Sequence, residues 1–124
     1  MTTARTGTTL SVRRVLPLLA ALLLAGCGQP TEPSKQAEEL GSMASEGALL
    51  AHDAAVGSST GPFTRVHSQA LRTKLDQLEP YLKDEQLARL AADIGEALDG
   101  LPEQPRRAES QLDAASEKAE ELAR

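Results

Sequence analysis

The chain predicts an all-α fold: a small antiparallel bundle, or a pair of helical hairpins, of three to four helices and no sheet. Three observations carry this expectation. From Ser34 onward apolar residues recur every three or four positions, which is the spacing of one helical face. No stretch in that region alternates apolar with polar residues as a half-buried strand does. Glycine and proline cluster at Gly57–Pro62, at Pro80 and at Gly100–Pro105, leaving connections short enough to favour antiparallel neighbours.

The first helix is expected to run from Ser34, a good N-cap, to about Val56. Ala37, Leu40, Ala44, Ala48, Ala51 and Ala55 form its stripe, widened by Met43, Leu50 and Ala54. Gly41 and Gly47 each weaken it by up to about 1 kcal/mol relative to alanine, but they also let a neighbouring helix come close. Gly57 is placed to end this helix and Pro62 to begin the next at its first position. The second helix, to about Leu78, carries Phe63, Val66, Ala70, Leu71, Leu75 and Leu78 as a broad, drifting stripe. Pro80 disfavours helical geometry at Glu79 and predicts a break or a sharp kink there.

Asp84 should cap a third helix, whose Leu87, Leu90, Ala91, Ile94, Ala97, Leu98 and Leu101 hold near-heptad spacing. At its end, Gly100 is expected in the left-handed region, with Leu101 and Pro102 stopping propagation. Pro105 opens a fourth helix with Ala108, Leu112, Ala115, Ala119 and Leu122 as its stripe. With two leucines that stripe offers little area, so this helix depends on docking. Phe63 and Tyr81 are the only aromatics after residue 26, so the core is expected to consist of Leu, Ile, Val and Ala.

The sequence has 124 residues, a net charge of −5 and one cysteine, enough for one small domain. The first 26 residues hold Arg5, Arg13 and Arg14 and no acid, so the remaining 98 carry 10 basic and 18 acidic side chains, a balance of −8. An acidic domain of this kind is not expected to bind nucleic acid or anionic headgroups, since both require clustered Lys and Arg. A single cysteine allows no internal disulfide, so stability must come from packing.

The N-terminus has three parts: a basic stretch ending at Arg13 and Arg14, an apolar stretch Val15–Ala25, and small residues at Ala25 and Gly26. This is the anatomy of a secretory signal. Its apolar stretch would rise only about 17 Å as a helix, too short for a hydrocarbon core of about 30 Å. Leu24, Ala25, Gly26 and Cys27 in that order resemble the lipobox of bacterial lipoproteins. The resemblance covers residues 1–27 only. It implies cleavage between Gly26 and Cys27, a diacylglyceryl thioether on Cys27, and a freed amino group open to an acyl chain such as palmitate. A catalytic or redox role for that sulfur is then excluded. The resemblance therefore implies a signal peptide at 1–26 with lipid on Cys27, and together with the helical periodicity this divides the rest into a lipidated tether at 27–33 and a helical domain at 34–124. It places the domain on the extracytoplasmic face of a bacterial membrane. Gly28, Pro30 and Pro33 make the tether extended, with a reach of at most about 25 Å.

His52 and His67 are the residues that raise the question of metal or acid–base work. In an antiparallel hairpin they lie at similar heights on either side of the Gly57–Pro62 turn, and with Asp53 they could supply three ligands to a divalent metal. Against this, adjacent His52 and Asp53 point about 100° apart, and the chain has no HExxH motif and no EF-hand loop. No serine lies in a GxSxG elbow or an SxxK box. Gly57–Gly61 lacks the GK[ST] ending of a phosphate loop.

The fourth helix carries a second stripe, Glu109, Asp113, Glu117 and Glu121, which reads either as a docking face for a basic partner or as a solvated outer face. Arg106 is expected to offset Glu109, and Arg124 to offset Glu120 or Glu121. What remains is a membrane-anchored, non-catalytic binding or structural protein of the cell envelope with no resident cofactor, whose partner is a further envelope protein. A metal-binding envelope protein using the histidine pair is the alternative. Oligomeric state is left open.

Overall fold

The computed structural model describes residues 28–124. The expected signal peptide, its recognition residues Leu24, Ala25 and Gly26, and the lipidation site Cys27 lie outside the described residues. Four α-helices form the body: α1 (Pro33–Ala55), α2 (Gly61–Leu78), α3 (Glu85–Gly100) and α4 (Pro105–Ala123), with a 3₁₀ turn at Glu79–Tyr81. No strand occurs among the described residues. The fold is the expected all-α bundle, wound up-down-up-down, each helix packing against its neighbour in the chain and α1 closing the ring against α4.

The break at Pro80 is complete. After the 3₁₀ turn, Leu82 is extended (φ −81°, ψ 106°), and the Asp84 carboxylate then accepts from Gln86 N–H at 2.9 Å and Leu87 N–H at 3.1 Å to start α3. Thr60 caps α2 by accepting from Phe63 N–H at 3.3 Å. Gly57, at φ 78°, is the only positive-φ residue among those described and ends α1 as expected. Two termini differ from expectation. The N-cap of α1 is Glu32 rather than Ser34, because Pro33 occupies the first helical position. Gly100 is not left-handed but closes α3 in helical geometry. Leu101 N–H then bonds Leu98 O at 3.3 Å and Gln104 N–H bonds Gly100 O at 2.9 Å, so successive tight turns reverse the chain.

The closest pairing is α1 with α4, and small residues make it close. Ala37, Ala44, Ala48 and Ala51 on α1 and Ala108, Ala115 and Ala119 on α4 are all buried. The register is antiparallel. Gly41 lies opposite Ala119, Gly47 opposite Leu112 and His52 opposite Glu109. A β-carbon at Gly41 would lie 3.1 Å from the Ala119 Cβ, so the glycine sets how near the backbones come. Where the α4 stripe reaches Leu112, Gly47 opens the space that leucine fills. Thus α4, poor in large apolar residues, is held by close approach along its length and by one deeply seated side chain.

Every predicted core residue of α3 is buried, as are Ala108, Leu112, Ala115 and Ala119 of α4, with Leu122 half-buried against the core. In α2 the first half of the stripe is corrected. Phe63, Val66 and Ala70 face solvent, and the buried ladder is Thr64, Ser68, Leu71, Leu75 and Leu78, at strict spacings of four, three, four and three. The two hydroxyl residues behave as small apolar ones because their polar atoms are satisfied locally. Thr64 Oγ1 donates to Thr60 O at 2.8 Å and Ser68 Oγ to Arg65 O at 3.0 Å. Among the described residues no valine is buried, and methionine joins the buried set through Met43.

Ser68→Ala should change stability by no more than about 0.5 kcal/mol, since no interhelical bond is lost and helix propensity improves. Phe63→Ser should cost less than about 1 kcal/mol and Leu71→Ala about 2 kcal/mol or more. Urea unfolding of the three variants checks the order. A Phe63→Ser loss equal to that of Leu71→Ala would mean that α2 is rotated.

Candidate functional site

Leu49 and Val56 are exposed singly at α1 and its end, whereas the outward face of α2 leaves two large apolar side chains in water within one turn of each other. Phe63 is 52% exposed and Val66 64%, and Ala70 lies one further turn along the same side. The His67 ring lies tilted at 37° against Phe63, with centroids 4.1 Å apart. Thr60 and Pro62 position this start of the helix by fixing where its first turn begins. Next to the stripe, a groove between α1 and α2 is lined by Glu46, Leu50, His67, Ala70, Leu71 and Lys74.

The charge carried by this stretch of α2 is opposite to that of the domain, while Glu46 of α1 lines the adjoining groove. Residues 58–75 contain Arg65, Arg72 and Lys74 and no acid, while residues 27–124 carry a net −8. Arg72 is engaged, lying 3.5 Å from Asp76 on its own helix and 3.7 Å from Asp99 on α3. Its guanidinium passes over Gly95, where a β-carbon would collide with it. Arg65 and Lys74 have no ion-pair partner among the described residues. Lys74 lies in the α1–α2 groove and Arg65 in the α2–α3 groove, so the apolar stripe runs between two grooves that each hold a cation.

The histidines do different work. His52 Nδ1 lies 2.9 Å from Glu109 Oε2, joining α1 to α4 at the end of the bundle that carries the α1–α2 turn. His67 belongs to the α2 stripe, and Asp53, beside His52 on α1, accepts Ser58 N–H at its backbone carbonyl (2.8 Å) as the chain turns. Among the described residues no group of three or more His, Cys, Asp or Glu side chains is gathered to hold a metal ion.

The acidic stripe of α4 is partly spoken for. Glu109 is half-buried beside His52 and not offset by Arg106, while Glu121 pairs with Lys118 at 3.6 Å rather than with Arg124. Asp113 and Glu117 are exposed. The His52 side chain is 57% exposed, so this pair is worth no more than about 1 kcal/mol. Asp113→Ala should leave the unfolding free energy within about 0.5 kcal/mol of wild type.

At the opposite end sits a residue that periodicity overlooked. Gln36 is 1% exposed, and its amide donates to Pro30 O at 2.9 Å and to Tyr81 O at 2.8 Å. It lies four residues before Leu40 and seven before Met43, on the core stripe. A glutamine in an apolar position of a helix was the available signal. No buried side-chain polar atom among the described residues lacks a partner. No known family model, curated protein or solved structure matches the chain, and no helix among the described residues is long and apolar enough to cross a membrane.

Proposed function

We propose that the chain is a bacterial envelope lipoprotein, anchored through lipid on Cys27, whose helical body binds another envelope protein rather than catalysing a reaction. The anchor rests on the Leu24–Ala25–Gly26–Cys27 box behind a basic and then apolar leader. Two acyl chains suffice for stable attachment without a spanning helix. The observation that carries the binding reading is the outward face of α2. Large apolar side chains at positions 63 and 66 are left in water beside Arg65 and Lys74, in a domain that is otherwise acidic. Charge complementarity selects the partner: an acidic segment with an apolar face of its own.

The test is photocrosslinking in intact envelopes from a reactive side chain placed at Val66 or, as control, at Asp113, followed by mapping of the crosslinked peptide. The reading predicts an adduct from position 66 whose contacting peptide is acidic and apolar, and about tenfold less of it when Phe63→Asp is added. Equal yields from both positions, a basic contacting peptide, or indifference to Phe63→Asp would overturn it. The thermal unfolding of Phe63→Asp should stay close to wild type, which separates lost binding from lost fold.

A further inference from the structure

Resting on the anchor reading above, we infer that the end of the bundle closed by Gln36 lies against the lipid surface, with Tyr81 in the interfacial layer and the α1–α2 turn directed away. The sequence alone allows a seven-residue tether. The fold shortens it, because the Gln36 amide holds the Pro30 carbonyl at 2.9 Å. Only three peptide steps then separate the lipid-bearing Cys27 from a fixed point on the domain, at most about 11 Å. That exceeds the interfacial layer of one leaflet, about 6 Å thick, by only about 5 Å. The body therefore stands on the bilayer rather than above it.

The same amide decides which surface faces down. Its second hydrogen bond, to Tyr81 O at 2.8 Å, joins the tether to the α2–α3 turn. Tyr81 is 47% exposed there. It offers an apolar ring and a hydroxyl, the combination favoured where hydrocarbon meets water. Lys35, Lys83 and Arg124 share this end with Glu32, Glu38, Glu79, Asp84, Glu120 and Glu121, because the antiparallel register brings the end of α4 beside the start of α1. With no excess of positive charge, the contact does not depend on anionic lipid. Helix α1 spans about 34 Å from this end, so Phe63 and Val66 are held far from the bilayer, where a second protein can reach them.

The chain contains no tryptophan, so one introduced indole reports its own depth. The full-length lipidated protein carrying Tyr81→Trp, and separately Phe63→Trp, is reconstituted in phosphatidylcholine vesicles with and without brominated acyl chains. Tyr81→Trp should lose about half its fluorescence to the brominated lipid, and Phe63→Trp almost none. Gln36→Glu removes the donor amide and should restore most of the Tyr81→Trp signal. Circular dichroism verifies that this variant is folded. Insertion of about ten Gly/Ser residues between Gly28 and Gln29 leaves the bundle untouched, adds roughly 18 Å of reach and should have the same effect. Equal quenching at both positions, no quenching of vesicle-bound Tyr81→Trp, or quenching indifferent to the insertion would overturn the inference. Protein that fails to float with the vesicles would overturn the anchor reading, and this inference with it.

Discussion

Leu112→Ala will lower the unfolding free energy by about 3 to 5 kcal/mol, the upper range for a buried leucine. Leu112 is fully buried and reaches the space above Gly47 on α1, close to Leu98 of α3. The other buried residues of α4 are Ala108, Ala115 and Ala119, so no neighbouring side chain on that helix is large enough to fill the hole. A domain of this size holds only some 5 to 10 kcal/mol in total. The variant should therefore unfold at much lower urea concentration, and α4 should lose hydrogen-exchange protection before α3 does. A loss below about 1 kcal/mol would mean that α4 is not seated as described.

Gly47→Leu attacks the same place from the other side and should cost about 3 kcal/mol or more, through overpacking rather than a cavity. A β-carbon at Gly47 would already lie 3.0 Å from Leu112 Cδ1 and 3.1 Å from Leu98 Cδ2, and both leucines are buried. Three further carbons have nowhere to go unless α1 and α4 separate. Gly47→Ala should lie much nearer to wild type, because the gain in helix propensity of up to about 1 kcal/mol opposes the tight contact. Adding Leu112→Ala to Gly47→Leu should recover part of the loss, the coupling expected of two residues sharing one space. Chemical denaturation of the four proteins measures that coupling. Strict additivity would show that positions 47 and 112 do not meet.

The sequence was most legible where large residues mark one face without interruption. Leu87, Leu90, Ile94 and Leu98 left only one orientation for α3, and Asp84 and Pro105 announced helix starts by chemistry that needs no tertiary context. In α2 hydrophobicity is a poor guide to burial. Thr64 and Ser68 satisfy their own hydroxyls and so can be buried, while Phe63 and Val66 are left outside. Extending the Leu71–Leu75–Leu78 ladder backward by three and four residues reaches Ser68 and Thr64, so spacing held the answer that residue type obscured.

The candidate site was less visible. Residue type alone places the stripe of Phe63, Val66 and Ala70 in the core. Its exposure becomes apparent only when α1 and α3 are seen to take up the other side of α2. The Gln36 clasp and the His52–Glu109 pair join residues 45 and 57 positions apart. Such contacts depend on the register in which the bundle closes, which no local pattern specifies.

The reading of this domain as a membrane-held binding protein depends first on what happens at Cys27, and intact mass analysis of the N-terminal peptide from purified membranes addresses it directly. The account predicts a mature chain beginning at Cys27, its mass increased by a diacylglyceryl group, and complete loss of that species and of detergent-phase partitioning in Cys27→Ala. A mature chain with an unmodified Cys27 thiol, or a Cys27→Ala protein that still partitions into detergent, would contradict it.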